Sequence, residues 1–143
     1  MSSKRKICAI VLLALLPLVF SNCKKKANPK EAVVHIGKGL AMHQSKDYQG
    51  AIQAYNKAIE VYPQSAAAYY YRGFAKFELK DNLGAVKDYT EAIKLNPTYA
   101  VAYLNRGLAR YLLGAQKAAC FDFKKASEFG DERADEIMKK FCK

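Results

Sequence analysis

The absences in this sequence bear first on chemistry. It has no tryptophan and only two histidines, His35 and His43. These stand eight apart on one predicted helix, missing the i, i+4 spacing that aims two imidazoles at one zinc ion. The four cysteines, Cys8, Cys23, Cys120 and Cys142, form no Cys-x-x-Cys pair, so a redox or zinc motif of that type is excluded. No glycine-rich loop is present to cradle a phosphate. Beyond residue 30, serine is confined to Ser45, Ser65 and Ser127, in turns or late helix. Carboxylates are scattered over helix surfaces with no paired arrangement. The expectation is therefore no catalytic residue, no metal site, no cofactor and no small-molecule substrate.

Acidic residues are few: 13 Asp and Glu against 24 Lys and Arg, a formal charge of +11. A surplus of that size suggests a nucleic-acid partner until the charge is located. Seven cations lie near the N-terminus: Lys4, Arg5, Lys6, Lys24, Lys25, Lys26 and Lys30. From Glu31 onward 17 cations face 13 acids, a surplus of four. The repeating part of the chain is only mildly basic, and nucleic-acid binding is not expected of it.

Long apolar runs are also missing, except one. Ile7 to Phe20 is uncharged and apolar, behind the basic start Lys4-Arg5-Lys6. As a helix it would rise about 21 Å, short of a hydrocarbon core of about 30 Å. Pro17 weakens it further as a span. The pattern fits an export signal over residues 1–22. The following "VFSNC" resembles the lipobox of bacterial lipoproteins, whose cysteine is acylated and becomes the new N-terminus. Phe20 stands where leucine is usual, and Asn22 where a small residue is usual. The resemblance implies lipidation at Cys23, a basic linker over 23–30, and a chain held at a bacterial membrane, the outer one, facing the periplasm. Acyl chains would contribute about 0.8 kcal/mol per buried methylene. Ordinary cleavage after Ser21, giving a soluble periplasmic protein, and an uncleaved anchor are the alternatives.

The rest of the chain repeats. Glycine recurs every 34 residues at Gly39, Gly73 and Gly107. Two residues on stand Ala41, Ala75 and Ala109. Twelve on stand Ala51, Ala85 and Ala119, and sixteen on stand Tyr55, Tyr89 and Phe123. Ala58, Ala92 and Ala126 complete the set. Pro63 and Pro97 close two units, and Asp131 takes the third place. Each unit holds two apolar-periodic segments of helical spacing. Helices packed this closely need small side chains where backbones meet, which accounts for the Gly and Ala columns.

A 34-residue period with these small and aromatic positions resembles the tetratricopeptide repeat (TPR). The resemblance implies an all-α solenoid of three helix-turn-helix repeats, 32–65, 66–99 and 100–131. A further amphipathic segment, 132–143, reads as the capping helix that a solenoid end requires. If it folds back in a hairpin turning near Gly130, Cys120 lies ten residues before the turn and Cys142 twelve after. The two can then meet, and an exported compartment favours a disulfide between them.

Arginine precedes glycine twice, at Arg72 and Arg106, and an aspartate follows sixteen residues later, Asp88 and Asp122. The first repeat has Lys38 and Ala54 in these columns, so the two residue types are present or absent together. A bidentate Arg–carboxylate pair across each hairpin is expected, with Asp88–Arg106 between hairpins as the alternative.

TPR arrays bind peptides or helices along the concave face formed by the first helix of each repeat. The resemblance carries this role to Ile36, Leu40, His43, Tyr70, Phe74, Phe77, Leu104, Leu108 and Tyr111. These are apolar or aromatic, suited to a hydrophobic or amphipathic protein segment. The TPR subclass that grips C-terminal carboxylates needs Lys and Asn at several such positions, and here only Asn105 comes near. A scaffold, adaptor or assembly factor is the expectation, with a pilotin-like chaperone of an outer-membrane component as the alternative.

Overall fold

The computed structural model describes residues 27–142. The expected signal segment 1–22, the expected lipidation at Cys23 and the linker as far as Lys26 lie outside the described residues. Seven α-helices follow in order: α1 (Pro29–Gln44), α2 (Tyr48–Val61), α3 (Ala66–Glu78), α4 (Asn82–Leu95), α5 (Ala100–Leu112), α6 (Gln116–Glu128) and α7 (Arg133–Phe141). Among the described residues there is no strand, and no helix is long and apolar enough to cross a membrane.

The helix starts follow from local chemistry. The Asn28 side chain accepts from the Glu31 amide at 3.1 Å, with Pro29 at the first helical position. Asp47 and Asp81 cap α2 and α4 by accepting from Gly50 and Gly84, each at 2.9 Å. Ser65 caps α3 through the Ala68 amide. Such caps satisfy amides that have no intrahelical partner. The tight turns before α2 and α4 hold Lys46 and Lys80 at φ 63 and 65, where the third repeat has Gly114 at φ 79.

Packing within each hairpin turns on one contact. Tyr55, Tyr89 and Phe123 are fully buried, and each ring lies over the glycine sixteen residues earlier. A Cβ built on Gly39 would meet the Tyr55 ring at 2.3 Å; on Gly73, Tyr89 at 3.0 Å; on Gly107, Phe123 at 2.5 Å. The rings fill the space that side chains there would take. Ala51, Ala58, Ala85, Ala92, Ala119 and Ala126 are also fully buried. The hydroxyls of Tyr55 and Tyr89 find no hydrogen-bond partner, and burial pushes the Tyr55 phenol up to about 12. Phenylalanine in the third repeat avoids that desolvation.

Hairpins stack by setting the first helix of one against the second helix of the one before, α3 on α2 and α5 on α4. The first helices also approach one another, α1 on α3 and α3 on α5, with no comparable pairing among α2, α4 and α6. The solenoid therefore curves with α1, α3 and α5 on its inner side. At its end α7 packs on α6, with Ala134 fully buried. Cys120 and Cys142 are joined there, with Cα atoms 5.7 Å apart. Gln116 Nε2 donates to the Phe141 carbonyl at 2.9 Å, and Ser127 Oγ donates to Asp135 at 2.6 Å.

The glycine contacts make a paired prediction. Gly107→Ala forces the Phe123 ring against buried neighbours, an overpacking loss of about 2 kcal/mol after its gain in helix propensity. Gly37 is also mid-helix, but a Cβ there meets nothing within 4 Å. Gly37→Ala is expected to stabilise by about 0.5–1 kcal/mol. Urea denaturation of the two variants reads both signs.

Candidate functional site

The inner face is built from α1, α3 and α5. The imidazole of His43, in the last turn of α1, stacks on Phe74 of α3, with centroids 4.8 Å apart and planes 15° from parallel. Tyr48 meets the same imidazole edge-on at 4.9 Å. Behind Phe74, Tyr70 lies nearly parallel at 6.4 Å. Ile36, Leu40 and Phe77, the other expected lining residues of these two repeats, are half-buried, with Ile36 and Phe77 packed against core clusters.

Part of the expected groove is closed. Leu104 is only 2% exposed, in one core cluster with Ala119, Phe123, Ala126 and Ala134. Leu108 packs against the same cluster together with Ile137, Met138 and Phe141 of α7. Tyr111 stays 36% exposed, but Phe141 takes one side of its ring at 4.5 Å. Leu104, Leu108 and Tyr111 thus support the cap and do not line an open groove, because the apolar side of α7 needs cover and takes theirs. Tyr70, at 9% exposure, is a further correction. Its ring packs on Tyr71, Tyr89 and Tyr99, so it holds Phe74 in place and presents little surface of its own. Of the expected groove residues, Ile36, Leu40, His43, Phe74 and Phe77 stay half-buried.

Arg72, Lys76, Arg106 and Arg110 of α3 and α5 are all engaged in ion pairs. The Asn105 amide is committed, donating to the Tyr70 hydroxyl at 3.1 Å. A shallow depression of about 500 Å³ adjoins Val101 where α5 and α7 begin. Its one cation, Arg133, is held by Asp131 at 2.6 Å, and that hydrogen bond keeps the Asp131 carboxyl below its ordinary range. Among the described residues, no group of three or more His, Cys, Asp or Glu side chains is placed to hold a metal ion.

The arginines work behind this face. Arg72 Nε and Nη2 donate to the two oxygens of Asp88 at 2.8 and 2.6 Å. Arg106 does the same to Asp122 at 3.0 and 2.8 Å. The pairs lie within hairpins, so the alternative Asp88–Arg106 pairing is not formed. Each fork also reaches back one repeat: Arg72 Nη1 donates to Asn56 at 2.7 Å, and Arg106 Nη1 donates to Thr90 at 3.2 Å. One side chain thereby ties three helices. A second cation four residues on completes each site, Lys76 on Asp88 and Arg110 on Asp122, both at 2.8 Å. Asn56, Thr90, Lys76 and Arg110 were not singled out by sequence reasoning. Lys76 and Arg110 carried a usable signal, since both are cationic four residues after an arginine, where the first repeat has Met42.

The chain belongs to the TPR repeat family, whose model matches residues 39–80 and 75–114. Among curated proteins, none matches. Solved structures do. The first TPR of Spaghetti (RPAP3), bound to the HSP90 peptide SRMEEVD, is 28% identical with a TM-score of 0.78, over 81% of this chain and 94% of that one. The Arabidopsis OM64 TPR domain is 30% identical with a TM-score of 0.77, over 80% and 97%. The Sgt2 TPR domain from Aspergillus fumigatus is 25% identical with a TM-score of 0.73, over 80% of each chain.

Asp122 is fully buried and Arg106 nearly so, and breaking a buried pair strands a charge. Asp122→Ala is expected to cost about 3 kcal/mol. Removing Arg106 as well should recover part of that, with a coupling of at least about 1 kcal/mol in a double-mutant cycle. Additive losses in urea denaturation would refute the fork as the unit of register.

Proposed function

We propose that this chain is a membrane-anchored protein-interaction module, working as a scaffold, adaptor or assembly factor. Its inner face binds a hydrophobic or amphipathic segment of a partner protein. The observation that carries this reading is the stack of His43 on Phe74, on a face whose other expected lining residues in these repeats, Ile36, Leu40 and Phe77, are apolar and half-buried. Such a surface gains free energy by covering apolar area, about 25 cal/mol per Å². The RPAP3 domain was solved with the HSP90 peptide SRMEEVD, whose last four residues include three acids. Here the expected lining residues Ile36, Leu40, Tyr70, Phe74 and Phe77 are apolar or aromatic, and the Asn105 amide is committed to the Tyr70 hydroxyl. The fold is shared with that domain, and the ligand chemistry differs.

For anchoring, the support is the N-terminal sequence alone: a basic start, one apolar run and Cys23 in a lipobox-like setting. Acylated there, the chain would sit on the periplasmic side of a bacterial outer membrane, with Lys24, Lys25 and Lys26 at the headgroups, each adding about 1 kcal/mol on an anionic surface.

Two measurements bear on this. SRMEEVD is expected to bind about tenfold or more weakly than an amphipathic helical peptide with a leucine-rich face, and Phe74→Ala should weaken the latter about tenfold. Clamp-like affinity for SRMEEVD would sink the apolar-groove reading. Separately, labelling growing cells with an alkynyl palmitate should mark the wild-type chain, and Cys23→Ala should lose both the label and membrane retention. A wild-type chain that stays unlabelled and soluble would remove the anchor and leave the groove intact.

A further inference from the structure

We propose that the open N-terminal end of the solenoid is a second docking surface, for a partner α-helix that brings a carboxylate to Lys38. Every later inner helix presses one stripe onto the helix before it. In α3 the stripe is bounded by Ala68 and Ala75, in α5 by Ala102 and Ala109, and all four are fully buried; in α7 it begins at Ala134, also fully buried. Among the described residues nothing covers the same stripe of α1. Val34 is 56% exposed, Ala41 is exposed, and Gly37 between them has nothing within 4 Å of its Cβ position. The molecule itself shows what fits such a stripe: an antiparallel helix with small apolar residues.

Charge says more about the occupant. In α3 and α5 the stripe carries an arginine that uses two donors on its own hairpin's aspartate and one on the preceding helix, at Asn56 or Thr90. In the first repeat Lys38 has the arginine's place and Ala54 the aspartate's. A cavity of about 120 Å³ opens there, lined by His35, Lys38, Met42, Gly50, Gln53, Ala54 and Lys57, with the Glu31 carboxylate 3.9 Å from His35 Nε2. Among the described residues neither Lys38 nor Lys57 is in an ion pair. The first repeat therefore keeps the cation of the motif and lacks its acid, and a helix docked on the stripe would bring an acid to that place.

A second copy of this chain is a poor occupant. Stripe against stripe sets Lys38 near Lys38. Head-to-tail docking on α6 sets it near Lys124, which holds the column of Asn56 and Thr90, on a helix already covered by α7 and joined to it through Cys120 and Cys142. Like charges at an interface select against that partner. The geometry points to a different protein, with an Asp or Glu among small apolar residues of a helix.

The test uses full-length protein and two stapled helical peptides copying α2, one with Asn56→Glu and one with Asn56→Lys. The glutamate peptide is expected to bind about tenfold more tightly, and Lys38→Glu to invert the order. Ala54→Asp supplies the missing acid within the hairpin and should weaken the glutamate peptide about tenfold. Phe74→Ala should change none of these, which separates this end from the inner groove. Equal affinity for both peptides overturns the proposal. So does loss of binding with Phe74→Ala in place of Lys38→Glu, or a dimer in sedimentation that depends on Lys38.

Discussion

Everything else in the molecule depends on three aromatic rings lying flat against three glycines. With Tyr55 over Gly39, Tyr89 over Gly73 and Phe123 over Gly107, the two helices of each hairpin meet in a register of sixteen residues. A side chain at the glycine would push the second helix outward or slide it. The loss of helix propensity at each glycine, about 1 kcal/mol, is small beside the burial of an aromatic side chain, about 1.5–3 kcal/mol. Once this register is set, the residue before the glycine faces the residue before the ring. That is why Arg72 meets Asp88 and Arg106 meets Asp122.

The forks then pass the register from hairpin to hairpin. A guanidinium has five N–H donors, and Arg72 and Arg106 each use three: two on their own hairpin and one on the hairpin before. A lysine in that place would supply a point charge without the geometry. In the second and third repeats Arg72, Lys76, Arg106 and Arg110 are engaged on Asp88 and Asp122 behind the inner face. The same arrangement that holds the stack together thus keeps these charges off the inner face.

Much of this was legible because it repeats. Three copies of the Gly, Ala and aromatic columns expose the period, and hydrophobic spacing within each copy places the helices to within a residue or two. The Arg–Asp pairing was legible from shared presence and absence, and the approach of Cys120 to Cys142 from counting out from Gly130. The illegible parts lie where neighbours come from different columns and do not recur. Asn56 and Thr90 share a column but not a residue type, and the third repeat has Lys124 there. The burial of Leu104 and Leu108 depends on how far α7 folds back. Its own periodicity gives the apolar side and leaves the target open, since the groove and the end of the stack are both apolar. Tyr70 misled for a related reason: a tyrosine at a lining position can point its ring along the face or into it, and contacts with Tyr71, Tyr89 and Tyr99 decide.

The two ends of the stack answer one problem differently. A solenoid end leaves a helix face without its neighbour. At the C-terminal end α7 supplies that neighbour, with large residues, Ile137, Met138 and Phe141, and a covalent tie at Cys120. At the N-terminal end the exposed face is made of small residues around one lysine, with an alanine where the motif elsewhere has its acid. Had solubility been the sole requirement, a polar stripe on α1 would meet it at no cost in packing. Val34 and Ala41 instead keep the apolar character and the spacing of the buried Ala68–Ala75 and Ala102–Ala109 pairs, with Gly37 between them, and among the described residues Lys38 has no ion-pair partner. A face that retains the shape of an interface while giving up its internal acid is organised to be completed from outside.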